Sequence, residues 1–184
     1  LAFVSYGVPE QGDALWLASR GWSVTGVDLS PTAVSRAQAA ARDAQVDATF
    51  VAGEIDAAEL GEFDLVTTSF LHSWDPEFSR IPLLRAALRH VAPGGRLLVV
   101  SHAGGPPRGP EDGEPHDHPD HPPFPTPAEE RAALDLDPAE WVVEREEIVE
   151  RREIREHAAS AASGHAASRP PHPLDGVLLH RRLP

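Results

Sequence analysis

The 184-residue sequence contains no cysteine, which excludes a disulfide framework and a thiolate zinc site and leaves the redox compartment unread. It contains no methionine either, not even at position 1, which predicts that Leu1 is not the natural start of the protein. Positive charge is scarce: 16 basic residues, every one an arginine, stand against 29 acidic ones for a formal net charge of -13. That balance opposes attraction to nucleic-acid phosphates and to anionic membrane surfaces. Long apolar runs are missing as well. The longest, such as Leu97-Leu98-Val99-Val100, fall far short of the roughly 20 residues that a membrane helix needs, and no basic-then-apolar signal opens the chain. Together these absences predict a cytoplasmic protein with no membrane and no nucleic-acid partner. Alanine, proline and glycine are plentiful, and with the arginine-only basic set they point to a GC-rich genome.

With 41% hydrophobic residues, a chain of 184 residues can enclose one core of ordinary size, so a single domain over 1–184 is expected. From Leu1 to about Val100 short β-rich runs alternate with helical stretches, the pattern of βαβ units wound into a parallel sheet. Strands are predicted over Leu1 to Tyr6, Trp22 to Val27, Ala48 to Val51, Phe63 to Ser69 and Arg96 to His102. The nearly all-apolar run from Asp13 to Ser19 predicts a helix buried on most sides. Ser30 followed by Pro31 reads as a helix start, with Val34, Ala37 and Ala41 as its apolar face. Leu84, Leu88 and Val91 mark a further helix, stopped by Pro93-Gly94-Gly95. Ala103 to Pro125 is rich in Pro, Gly, His and Asp and predicts a loop without a core of its own, a lid or a linker. Thr126 and Glu129 have capping-box spacing for a helix whose buried side would be Ala132, Ala133 and Leu136. Glu140 to His157 suits an exposed helix or a strand; Ala158 to Pro173 reads as a loop, and Gly176 to Arg181 as a last strand.

In a doubly wound sheet the ligand lies at the carboxyl ends of the strands, near the point where the strand order reverses. Asp28 ends the second predicted strand, about twenty residues after the segment Gly7 to Gly12, where a carboxylate accepts hydrogen bonds from ribose hydroxyls. The plainer alternative is a helix-capping aspartate, although Ser30 is the better cap.

The run Gly12-Asp13-Ala14-Leu15-Trp16-Leu17-Ala18-Ser19-Arg20-Gly21-Trp22, followed by Val24-Thr25-Gly26-Val27-Asp28-Leu29-Ser30, resembles class I, Rossmann-like S-adenosylmethionine-dependent methyltransferases, nearest to the tellurite-resistance-type branch. The likeness continues through Phe50 to Glu54, Phe63 to Val66 and Leu88 to Leu98, and is weakest after Ser101. It implies an α/β fold: a doubly wound, mostly parallel seven-stranded sheet with a C-terminal antiparallel hairpin and helices on both faces. That favours the strand reading of Trp141 to Val149. It implies S-adenosylmethionine as cofactor, S-adenosylhomocysteine as product, and a small molecule as methyl acceptor. By resemblance Asp28 binds the ribose hydroxyls, Leu29 packs on adenine, and Glu54 with Ile55 sits at the adenine edge. Ser69, Phe70, Leu71 and His72 line the place where the methyl sulfonium meets substrate. The family's amino-terminal helix is missing from this sequence, which would expose apolar surface that a homodimer could cover.

The first loop departs from the family pattern of Gly-x-Gly-x-Gly, reading Gly7-Val8-Pro9-Glu10-Gln11-Gly12. Gly7 and Gly12 remain as cofactor-loop residues, while Pro9 fixes φ and removes an amide donor and Gln11 adds a side chain beside the methionine part of the cofactor. His72 is the candidate general base, since an imidazole suits proton removal at neutral pH, or else a rim hydrogen-bonding group; Trp74 is an aromatic wall or simply buried. Methyl transfer at an activated sulfonium can also proceed by positioning alone. The cluster His116, Asp117, His118, Asp120 and His121 has donors suited to zinc, nickel or copper, but its spacing matches no recognised site and no metal is assigned. The Glu/Arg run from Glu144 to Glu156 reads as a solvated face. Two other classes stay open beside the enzyme: a non-catalytic binding or assembly module that lost the loop, and a metal-binding protein.

Overall fold

The computed structural model describes residues 1–6, 12–54, 60–71, 78–103, 124–150 and 174–184. Its elements run β1 (Ala2–Tyr6), α1 (Gly12–Ser19), β2 (Ser23–Asp28), α2 (Pro31–Asp43), β3 (Ala48–Ala52), β4 (Phe63–Ser69), α3 (Arg80–Leu88), β5 (Val91–His102), α4 (Pro127–Leu134), β6 (Trp141–Glu150) and β7 (Leu174–Arg182). The strands form one seven-stranded sheet in the order β3-β2-β1-β4-β5-β7-β6. Pairing is parallel from β3 through β5, while β7 runs antiparallel to both β5 and β6. The chain winds outward from β1 to β3 and then returns to β4 on the other side of β1, which puts the reversal of strand order between β1 and β4.

The two faces of the sheet carry separate cores. On one, Ala14 and Leu17 of α1 and Val34, Ala37 and Ala41 of α2 pack with Phe3, Val24 and Phe50. On the other, Leu84, Ala87 and Leu88 of α3 and Leu134 of α4 cover Val4, Tyr6, Val66, Leu97, Val99 and Leu178. The alternation of Phe3 with Val4 across the β1 pleat assigns one residue to each core. Full burial of each such side chain contributes about 1.5–3 kcal/mol.

Two helix starts follow from their sequences. Ser30 has extended backbone angles and its Oγ accepts from Ala33 N at 3.2 Å, with Pro31 occupying the first helical turn. Thr126 Oγ1 accepts from Glu129 N at 3.2 Å while Glu129 Oε2 accepts from Thr126 N at 2.8 Å, completing the capping box. The ambiguous segment after Glu140 is a strand, β6, paired with β7 along its length. Residues 151–157, the predicted loop from Ala158 to Pro173, and most of the loop from Ala103 to Pro125 lie outside the described residues.

Three expectations are corrected. Pro93-Gly94-Gly95 does not stop α3; the helix ends at Leu88 and β5 already begins at Val91. Phe63 pairs with Val91 and Leu65 with Arg96, so the Pro-Gly-Gly residues bulge out of β5. Gly94 has φ +79°, and a Cβ on Gly95 would lie 2.8 Å from the Ala92 carbonyl oxygen and 2.9 Å from that of Phe63, so the glycines serve the bulge. In α1, Trp16 is 56% exposed rather than buried. Ala14 and Leu17 are the buried residues of that short helix, Leu15 and Ala18 pack partly buried against the same core, and the Arg20 guanidinium lies 5.0 Å over the Trp16 ring. In α4 the buried residues are Pro127, Glu130 and Leu134, and Ala132 and Ala133 are exposed. A glutamate takes the inner face because Arg80 of α3 pairs with it. Among the described residues no helix is long and apolar enough to cross a membrane.

Candidate functional site

The site is built from strand ends. Ala2–Tyr6 pairs in register with Ser23–Val27 on one side, and Tyr6 pairs with Thr68 on the other, so the carboxyl ends of β2, β1 and β4 share one edge of the sheet. Asp28 is the last residue of β2, level with Ala52 of β3. Gly53 N donates to the Asp28 carbonyl oxygen at 3.0 Å, which carries Glu54 to the same edge as an exposed side chain. Leu29, next to Asp28, is 72% exposed, an apolar side chain that the protein itself does not shelter. Ser69 ends β4, and Phe70 follows with φ 52° while its amide donates to the Val100 carbonyl at 2.8 Å. A non-glycine residue in the left-handed region costs on the order of 1–3 kcal/mol, a strain of the kind that gathers at functional sites.

Asp28 also does part of what the plainer reading assigned to it. Its Oδ1 accepts from Ser30 N at 2.7 Å, in the turn that leads into α2. A carboxylate offers about four acceptor positions, so the turn and a ribose diol can be served by one side chain. Among the described residues, nothing lies within 4 Å of where a Cβ would be on Gly12, the first residue of α1. The packing of the described residues does not demand glycine there. Asp28, Leu29, Glu54, Ser69 and Phe70 thus stand at the carboxyl ends of their strands, with Gly12 at the start of α1. Leu71 is among the described residues, whereas Gly7, Ile55, His72, Trp74 and the cluster His116 to His121 lie outside them. Among the described residues no group of three or more His, Asp or Glu could hold a metal ion. A groove lined by Gly21, Trp22, Ser23, Asp47 and Ala48 lies at the opposite, amino-terminal ends of β2 and β3 and takes no part in this site.

Three residues at the same edge escaped the sequence reading. His102 closes β5, one strand beyond Ser69 and Phe70, and its ring lies 4.8 Å from that of Phe70 and 5.2 Å from that of Phe124. His102 Nδ1 stands 3.6 Å from Asp175 Oδ1, beyond direct hydrogen-bond length, and the two side chains are 12% and 13% exposed. His102 could have been found as the end of a predicted strand. Asp175 could not, because only the antiparallel register of β7 on β5 sets it opposite His102.

Comparison with known proteins agrees with this geometry. A family model described as a methyltransferase domain matches residues 11–95, a segment that begins after most of the altered loop and includes Asp28. A 23S rRNA (uracil(747)-C(5))-methyltransferase from Pyrococcus horikoshii is 36% identical over 67 residues; the match covers 36% of this chain and only 16% of that relative. A structure solved for the conversion of a disulfide bond into a thioacetal group during echinomycin biosynthesis superposes with a TM-score of 0.70 at 25% identity, over 99% of this chain and 76% of the other. TehB from Haemophilus influenzae shares the fold at 12% identity, with a TM-score of 0.65 over 100% of this chain and 57% of the other. At that identity the likeness is one of fold alone. With the reversal of strand order, the acidic strand end beside it and these likenesses in agreement, the chain is similar to class I, Rossmann-like S-adenosylmethionine-dependent methyltransferases, by a methyltransferase-domain match over residues 11–95 and by its whole fold.

Proposed function

We propose that this chain, as a single domain over residues 1–184, transfers the methyl group of S-adenosylmethionine to a small molecule in the cytoplasm and releases S-adenosylhomocysteine. The observation that carries the reading is Asp28 at the carboxyl end of β2, beside the reversal of strand order and inside the family-matched segment. In this reading Asp28 accepts from the ribose hydroxyls, Leu29 packs on adenine, and Glu54 and Ile55 lie at its edge. Gly7 and Gly12 bracket the loop beside the methionine part, Ser69 and Phe70 line the methyl-transfer end, and His72, the base or rim group of the sequence reading, serves as a hydrogen-bonding group at the rim of the acceptor site. The cofactor supplies an already activated methyl group, so holding donor and acceptor in line accounts for most of the acceleration.

A formal net charge of -13 favours a small acceptor over a polyanion, which needs cationic side chains to displace its counterions. Homodimerisation would cover Val142, Val143 and Ile148, which are exposed on the outermost strand β6. The test is to supply methyl-labelled S-adenosylmethionine together with either a small-molecule extract or total RNA. Label is expected in the small-molecule fraction. Label entering ribosomal RNA would replace the acceptor class, and no label in either, with cofactor bound, would favour the non-catalytic module.

A further inference from the structure

The carboxyl ends of β4, β5 and β7 hold a histidine–aspartate pair between two aromatic rings, and no role assigned so far uses it. Neighbouring strands lie about 4.8 Å apart, so His102 at the end of β5 is adjacent to the end of β4, where Ser69 and Phe70 stand. Asp175 is its register partner on β7. Among the described residues Asp175 is the charged side chain that faces the imidazole within ion-pair distance, while the facing groups from the end of β4 and from the segment before α4 are the apolar rings of Phe70 and Phe124. A carboxylate on the Nδ1 side favours the tautomer with the proton on Nδ1 and leaves Nε2 as the basic nitrogen. The long Nδ1 to Oδ1 separation of 3.6 Å is of the kind that tightens when a substrate is bound.

We propose that His102, oriented by Asp175, is the proton acceptor for methyl transfer and that the acceptor it serves is a phenolic hydroxyl. This rests on the methyltransferase reading and deepens it. The flanking rings of Phe70 and Phe124 suit an aromatic acceptor, whose ring packs edge-on or offset against them. A phenol with a pKa near about 10 is largely un-ionised at neutral pH and needs a base to become a strong nucleophile. The step balances: the phenolic O–H proton passes to Nε2 of His102, the oxygen forms a bond to the methyl carbon, and the bond from that carbon to sulfur breaks with its electron pair left on sulfur. The products are an aryl methyl ether and neutral S-adenosylhomocysteine, and the imidazolium returns its proton to water.

The test compares catechol with the more acidic 4-nitrophenol as acceptors, in the wild type, His102→Gln and Asp175→Asn, with S-adenosylhomocysteine binding measured calorimetrically for each. His102→Gln is expected to bind S-adenosylhomocysteine as the wild type does and to methylate catechol about 10²- to 10⁴-fold more slowly. Its loss on 4-nitrophenol, which ionises unaided, should be much smaller. In Asp175→Asn the imidazole of His102, followed by NMR, should titrate at lower pH than in the wild type, because the neighbouring negative charge is gone. Unchanged catechol turnover in His102→Gln, an equal loss on both phenols, or an unmoved His102 titration in Asp175→Asn would each overturn the assignment. Cofactor binding with neither phenol methylated would overturn this proposal alone, whereas absent S-adenosylhomocysteine binding in the wild type would overturn the methyltransferase reading beneath it.

Discussion

Gly12 and Leu29 are residues whose places make little sense for folding and good sense for binding. Gly12 opens α1 with no described residue crowding its α-carbon and no left-handed backbone angle, and Leu29 leaves most of an apolar side chain exposed. Gly12→Ala is therefore expected to leave folding stability within about 1 kcal/mol of the wild type while weakening S-adenosylhomocysteine binding, since the added methyl occupies space the ligand needs. Thermal melts with and without ligand separate the two effects. An unchanged ligand-induced shift in the melting temperature would show that the start of α1 does not approach the cofactor. Asp28 differs from these two, because its turn with Ser30 gives it a structural share as well. That double employment explains why the sequence supported two readings of this residue at once.

At the scale of elements, α3 and α4 are joined by an ion pair between Arg80 and Glu130, whose side chains are 10% and 2% exposed. A buried charge stripped of its partner keeps its desolvation cost without the attraction that offsets it. Arg80→Leu should destabilise by about 3–5 kcal/mol, and the double change Arg80→Leu with Glu130→Leu should recover much of that loss. Denaturant titration of the three variants checks it; a double variant no more stable than Arg80→Leu would remove the pair from the account. The pair also shows where sequence reading stops. The caps of α2 and α4 were legible because Ser30, Pro31, Thr126 and Glu129 act on residues three or fewer positions away. The buried face of α4 was not, because Glu130 is turned inward by an arginine fifty positions earlier in the chain. Pro93-Gly94-Gly95 misled for a related reason. Those residues end helices and also make bulges, and the pairing of β5 with β4 decides which.

For the whole molecule, the order of alternating strands and helices up to about Val100 was readable from the run and cap pattern of the sequence, and Asp28 was readable as a strand end within that order. His102 with Asp175 was not, since their meeting depends on β7 inserting antiparallel between β5 and β6. The same insertion buries His180, which is 2% exposed and whose ring nitrogens make no hydrogen bond among the described residues. Burial, and to a lesser degree the Arg131 guanidinium, hold its pKa below the usual histidine value against the smaller opposing pull of Glu146. The unfolded chain then takes up the proton first as pH falls, so His180 lowers stability as pH drops below about 6.5 toward its depressed folded value. His180→Leu should flatten that part of the stability profile, as measured by denaturant midpoints between pH 7 and 5. A slope identical to that of the wild type would assign the acid sensitivity to other groups.

The most direct test of the account is calorimetric titration of the chain with S-adenosylmethionine and S-adenosylhomocysteine, alongside Asp28→Ala. Binding at micromolar concentrations that is lost in a folded Asp28→Ala variant is the predicted result, and it would place the cofactor at the carboxyl end of β2. Absence of binding up to millimolar ligand, or equal binding by Asp28→Ala, would contradict it.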